Sequence, residues 1–212
     1  MYMRKGTVVS LKSCNKIFYF LKLNRVLLIL TLCFILGFLI GIFTADKYEA
    51  VNNFNSTVFE NFIANRSDRS FWQIAVKSFF NSMLFILLEF ACGTSALGVV
   101  FVPLCVGARG FLYGGTAALL YSEHLLKGIA FHTVLILPAA VIFIFGFLLA
   151  ARESFDFSLM LARLTLPQTM PMNISFQFKS YCIKYIAVLI IIVFSAVIDA
   201  ILCGNFLTVF SL

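Results

Sequence analysis

Charge is what this chain has least of. Lys, Arg, Asp and Glu make up 12% of its 212 residues, whereas 62% are hydrophobic and 26 are Phe. That is too little polar surface to close a soluble globule, so the composition requires an integral membrane protein. Histidine is nearly missing, with His124 and His132 the only two. Neither has a thiolate pair near it, and Cys14, Cys33, Cys92, Cys105, Cys182 and Cys203 show no C-x-x-C spacing. The sequence supports no metal site and no cofactor, and the cysteines read as reduced small hydrophobes. The net charge of +7 forms no basic face, which argues against nucleic acid as a partner. Lys and Arg gather instead at the N-terminus and in one later loop, a pattern of membrane orientation.

What is present is a series of long apolar runs. Residues 1–25 form a basic segment with Arg4, Lys5, Lys12, Lys16, Lys22 and Arg25, placed as a positive-inside anchor. The run "VLLILTLCFILGFLIGIF", 26–43, is long enough to span with help from its flanks. Phe43 stands where a signal-cleavage site needs a small residue, so the first span reads as an uncleaved anchor. A polar loop at 44–73 comes next, in which Val51, Phe54, Val58 and Phe62 recur at spacings of three and four and predict a short amphipathic helix. Further spans are expected at Ile74–Ala91, Ser95–Tyr121, Ile129–Ala150 and Lys184–Leu207, with a second polar loop at 151–181. The fold class is therefore all-α: a polytopic membrane bundle of about five helices, one transmembrane domain over 26–212.

The third span is too long for the bilayer. As a helix it would run about 40 Å against a hydrocarbon core of about 30 Å. Pro103 removes a backbone donor, and Gly107, Gly110, Gly114 and Gly115 loosen the helix beyond it, so a bend or break is expected near Pro103 to Gly110. Pro138 marks a second bend, in the fourth span. The "CGTS" stretch between the second and third spans leaves room only for a tight hairpin.

Loop charge sets the orientation. With five spans and the N-terminus inside, ten Lys and Arg fall on the cytoplasmic side, counting Arg152, Arg163, Lys179 and Lys184 with the six at the N-terminus. Lys47, Arg66, Arg69, Lys77 and Lys127 make five outside. The positive-inside tendency then puts the N-terminus in the cytoplasm and the C-terminus outside.

Two charges stand deep within spans. A charge at the bilayer centre costs roughly 2.5 to 3.5 kcal/mol, and Arg109 and Asp199 each sit inside an otherwise apolar run. Measured from Ser95 and from Lys184 they lie at matching depth, which predicts a structural intramembrane pair. Glu89 falls a few residues before the cytoplasmic hairpin, where it can approach water. Gly110 and Gly114 recur at four residues, as do Gly37 and Gly41, making smooth strips where a neighbouring helix can come close.

No catalytic constellation accompanies these features. "CGTSALG" has the Gly-x-Ser character of intramembrane serine proteases, but Ser95 and His132 belong to opposite ends of their spans, and a nucleophile and base need about 3 Å. The expectation is a non-enzyme. A membrane transporter subunit is the alternative, because broken helices with a midplane charge are what transporter sites use. One five-span chain lacks the usual duplication, so it would have to work as a homo-oligomer.

The order of motifs resembles the stage II sporulation protein M family. The resemblance is carried by "TSALGVVFVPLCVGARGFLYGGTAALL", then "LPAAVIFIFGFLLAARESFDFSLMLAR", then "VIDAIL". The positions matching the family pattern are Ser95, Gly98, Pro103, Arg109, Gly110 and Gly114, with Leu137 and Pro138, and Asp199 and Ala200. It covers roughly residues 70 to 210, the first span agreeing in position only. Two departures stand out: Ala139 and Ala140 replace an amide pair, and Asp199 replaces a Glu. The resemblance implies a non-enzymatic scaffold in the bacterial cell membrane that anchors a peptidoglycan-degrading complex for engulfment during sporulation. Its partners would be the stage II sporulation proteins D and P, or similar cell-wall hydrolases. Relatives also occur in bacteria that form no spores. On this reading the outside loop at 44–73 is the face for extracytoplasmic partners.

Overall fold

The computed structural model describes residues 24–45, 47, 56, 57, 60, 70–164 and 174–206. They form five long helices: α1 (Arg25–Ala45), α2 (Phe71–Gly93), α3 (Gly98–Phe131), α4 (Leu137–Leu164) and α5 (Ile174–Phe206). A π-helical turn, His132–Ile136, joins α3 to α4, and no strand occurs among the described residues. Five segments are long and apolar enough to cross a membrane: Arg25–Ala45, Phe71–Gly93, Gly98–Ser122, Leu126–Leu164 and Ile174–Asn205. The basic segment up to residue 23 and nearly all of the loop between α1 and α2, with its expected amphipathic helix, lie outside the described residues.

Hydrocarbon offers no water to backbone N–H and C=O groups, so apolar runs of this length satisfy them internally as helix. Polar side chains along the spans do the same. The hydroxyls of Thr31, Thr116 and Thr133 donate to the carbonyls of Leu27, Leu112 and Ile129, each four residues back and within 3.0 Å. Large apolar side chains remain on the outer faces, among them Leu32, Leu36 and Phe43 of α1 and Ile186, Ile190 and Phe194 of α5. In a membrane this is the surface that meets lipid.

The closest packing joins α1 to α3. A Cβ on Gly37 would collide with the carbonyl of Gly107, and one on Gly41 with the carbonyl of Phe111. The relation is reciprocal: Gly110 and Gly114 lie against the carbonyls of Phe34 and Phe38. Only glycine lets two helix backbones come this near. Residue numbers rise together along both rows of contact, so α1 and α3 run parallel.

The turn from α2 to α3 is tight. The N–H groups of Thr94, Ser95 and Gly98 donate to the carbonyls of Phe90, Cys92 and Ser95 at 3.1 to 3.2 Å. A side chain on Gly98 would strike the Cys92 carbonyl. At the opposite end the chain reverses between Tyr121 and His132. Their ring centroids are 5.6 Å apart, whereas a straight helix would separate them by about 16 Å. Leu119, Leu120, Phe131 and Leu135 pack there with Ile74 and Ala75 of α2 and Ala200 and Cys203 of α5. Toward the hairpin, Leu30, Ile86, Val102, Val106, Phe143, Phe147 and Ile192 form the larger core.

The expected helices are refined or corrected in three places. First, α3 is unbroken between Pro103 and Gly110. Pro103 sits near the start of its helix and costs one hydrogen bond, to the Val99 carbonyl. Second, the irregular turn falls before Pro138, where the Leu137 N–H reaches the His132 carbonyl five residues back. This wider coil makes room where the proline ring would meet the Val134 carbonyl. Third, the polar loop at 151–181 is mostly helix, since α4 continues to Leu164 and α5 begins at Ile174. Arg152, Arg163 and Lys179, which suggested a loop, stand on these helices, where Arg152 Nε lies 3.9 Å from Asp156 Oδ2 and Lys184 Nζ lies 2.5 Å from Glu153 Oε2.

The glycines of the α1–α3 interface are not equivalent. A Cβ on Gly107 would meet only the Cys33 carbonyl, at an ordinary 3.7 Å. Gly107→Ala should therefore change stability by less than about 0.5 kcal/mol, while Gly114→Ala should cost about 1 to 3 kcal/mol by forcing α3 away from α1. Reversible unfolding in lipid bicelles, read by trapping the separated α1 and α3, measures both.

Candidate functional site

Arg109 does not pair with Asp199. Its guanidinium lies over three aromatic rings, with Cζ 3.9 Å from the centroid of Phe85, 4.8 Å from Tyr113 and 5.0 Å from Phe143. Each ring presents a negative face to the cation, an attraction of about 2 kcal/mol when desolvated. The arginine's charge is thus accommodated by π-faces supplied by α2, α3 and α4. Its Nε is buried without a hydrogen-bond partner among the described residues.

Asp199 is buried elsewhere. It lies on α5 beside Ala200 and Cys203, which belong to the cluster at the far end from the hairpin, and the Cys203 thiol is 3.6 Å from its Oδ1. Side-chain contacts between α4 and α5 show why the depths differ. Ser195 Oγ donates to the Ala139 carbonyl at 2.8 Å, and Gly146 lies against Ile191 and Ile192. Phe143, which carries Arg109, therefore faces residues between these two contacts, and Asp199 falls one to two turns beyond, about 6 to 9 Å. The sequence measured depth from Lys184, ten residues after α5 begins.

Glu89 is also placed differently from expectation. It is fully buried, and neither carboxylate oxygen has a hydrogen-bond partner among the described residues. Its approach to water is closed off by a polar lock at the hairpin end. Ser154 Oγ donates to the Glu89 backbone carbonyl at 3.0 Å, and the Tyr181 hydroxyl donates to the Phe90 carbonyl at 3.1 Å. Ser154 also hydrogen-bonds the hydroxyls of Tyr181 and Tyr185, and Ser158 Oγ donates to the Ser95 carbonyl at 2.6 Å. Phe90 and Phe157 stack on Tyr181 at 5.0 and 4.7 Å between centroids.

The lock has a plain purpose in physical terms. The Glu89 carbonyl also accepts the Gly93 N–H within α2 and the Phe90 carbonyl accepts the Thr94 N–H, so each hydroxyl is a second donor to a carbonyl with a lone pair to spare. Hydroxyls on α4 and α5 thereby tie the hairpin to both helices. A side chain on Gly93 would strike the Tyr181 hydroxyl and Ser154. The sequence held a usable signal, since Ser154 and Ser158, and Tyr181 and Tyr185, are each four residues apart on what proves to be helix.

Ser95 and His132 belong to opposite ends of the bundle, the first in the hairpin and the second 3.0 Å from the Tyr121 hydroxyl through Nδ1. The His124 side chain lies outside the described residues. Among the described residues no group of three or more His, Cys, Asp or Glu is placed to hold a metal, and Cys33, Cys92, Cys105 and Cys182 are free thiols. Gly37, Gly41, Gly110 and Gly114 all lie in the α1–α3 interface.

Five helices long and apolar enough to span, with two buried carboxyl groups and an arginine held among rings, define a polytopic α-helical membrane protein. The family model of stage II sporulation protein M matches residues 30–203, and the chain belongs to that family. The match takes in most of α1 as well as the motifs from Ser95 onward. No curated protein and no solved structure matches the chain.

The placement of Arg109 yields a measurable partition. A double-mutant cycle joining Arg109→Met to Phe143→Leu should give a coupling of about 1 kcal/mol, and one joining Arg109→Met to Asp199→Asn should give less than about 0.5 kcal/mol. Stability in bicelles is the readout. Ser154→Ala should cost about 0.5 to 1.5 kcal/mol by removing the hydroxyl's hydrogen bonds to the Glu89 carbonyl and to Tyr181 and Tyr185.

Proposed function

We propose that the protein is a non-enzymatic scaffold of the bacterial cell membrane, anchoring a peptidoglycan-degrading complex. The observation that carries this reading is the family match over residues 30–203. The arrangement of the buried polar groups supports it: Arg109 is held by rings, and the serines and tyrosines of α4 and α5 close the end of α2. These groups hold helices together. In the proposed orientation the N-terminus and the α2–α3 hairpin face the cytoplasm, where positive charge concentrates, and the C-terminus lies outside. The loop between α1 and α2 then projects from the outer face and serves as the docking segment for stage II sporulation proteins D and P or similar hydrolases.

A transporter subunit is the second reading. It is favoured by Glu89, a carboxyl group enclosed in the bundle without a partner among the described residues. A solute carried by the protein would stabilise it against heat, whereas a scaffold needs no small ligand.

The scaffold reading predicts the outcome of affinity purification in mild detergent from sporulating cells. Cell-wall hydrolases should co-purify with the full chain and be lost when residues 46–69 are replaced by a glycine–serine linker, while the variant reaches the membrane at normal yield. Recovery of a cytoplasmic ATPase or another permease, with no hydrolase, would favour transport instead.

A further inference from the structure

Glu89 and Arg109 supply the only buried side-chain nitrogen and oxygen atoms without a hydrogen-bond partner among the described residues: Oε1 and Oε2 of the first and Nε of the second. They stand on neighbouring antiparallel helices, and their levels can be compared. Arg109 of α3 lies over Phe85 of α2. Glu89 comes one turn after Phe85 on the same face, about 5.4 Å nearer the hairpin. The guanidinium is thus held one turn away from the carboxyl, by rings, and forms no ion pair with it.

The groups that face Glu89 come from four helices. On its own helix there is Cys92; on α3 there is Cys105; on α4 there is Ser154; on α5 there are Tyr181 and Tyr185. The Ser154, Tyr181 and Tyr185 hydroxyls direct their three protons to one another and to the carbonyls of Glu89, Phe90 and Ala150. No donor among them turns to the carboxyl. An ionised carboxylate enclosed in apolar surroundings with neither a donor nor a counter-ion is the least favourable state such a group can take. Taking up a proton removes that burden without moving any helix.

We propose that Glu89 is a proton-binding site within the membrane, an un-ionised carboxylic acid in the conformation described here. Loss of the proton to water leaves a carboxylate one turn from Arg109, which Phe85, Tyr113 and Phe143 hold. The proposal is independent of the scaffold reading, because a proton bound at Glu89 is compatible with either function.

The test uses the full chain reconstituted in phosphatidylcholine vesicles at neutral pH, with dicyclohexylcarbodiimide as the probe. This reagent partitions into lipid and couples to carboxylic acids that carry their proton. Peptide mass spectrometry should find the adduct on Glu89, roughly tenfold or more above Glu153, the carboxylate paired with Lys184 at the helix surface. The infrared spectrum should contain an un-ionised carboxyl band that Glu89→Gln removes. Labelling of the unaltered chain needs no variant, so the first measurement stands even if Glu89→Gln fails to fold. An unlabelled Glu89 overturns the proposal. An adduct that appears only in Arg109→Gln overturns it as well, since Glu89 would then be ionised in the native protein with Arg109 as its counter-ion.

Discussion

A bundle in lipid gains little from hiding apolar surface, because the surrounding chains are as apolar as leucine. What holds its helices is how near their backbones come and how their polar groups are satisfied. In this protein the nearest approach is the parallel contact of α1 with α3, where Gly37, Gly41, Gly110 and Gly114 interlock with carbonyls of the opposite helix. That contact fixes α3 in both rotation and depth. With α3 so fixed, Arg109 can point only away from α1, into the space between α2 and α4. The aromatic rings that receive it come from those two helices and from α3 itself.

The polar groups obey a division by depth. At the hairpin end, hydroxyls from α4 and α5 add second hydrogen bonds to carbonyls at the end of α2 and one to Ser95, so the short turn to α3 is held from both sides. In the middle, the permanent charge of Arg109 is met by π-faces. Beyond it, Asp199 sits with Cys203 where α5 approaches the reversal between Tyr121 and His132. Each solution suits its surroundings. Carbonyls at a helix end need donors, whereas a guanidinium tolerates rings because its charge is delocalised and weakly hydrated.

Much of this was legible in the sequence, and the rest failed for identifiable reasons. Apolar runs gave five spans, and the tight hairpin after Ala91 was implied by the few residues available to it. The four-residue spacing of Gly37 with Gly41 and of Gly110 with Gly114 marked packing strips, though spacing alone does not say that the two strips meet each other. Helix ends were misjudged where Arg152, Arg163 and Lys179 made helical segments look like loop, because hydropathy registers charge and not whether it sits on a helix surface. From that error came the second. Counting depth from Lys184 instead of Ile174 brought Asp199 level with Arg109, when side-chain contacts between α4 and α5 set it one to two turns away. Glu89 was misread because distance along its helix suggested water, whereas closure by Ser154, Tyr181 and Tyr185 is a property of two distant segments.

The partnership of α1 with α3 also bears on how the chain is made. Gly37 and Gly107 are separated by 70 residues, so the first helix enters the bilayer well before the backbone it fits has been synthesised. At about 5 to 20 residues per second, the wait is roughly 4 to 14 s. Throughout that interval α1 presents a bare glycine strip to the membrane, open to another newly made α1 or to whatever insertion factor stands nearby. The order of assembly is therefore written into the fold, with the first helix inserted early and docked late.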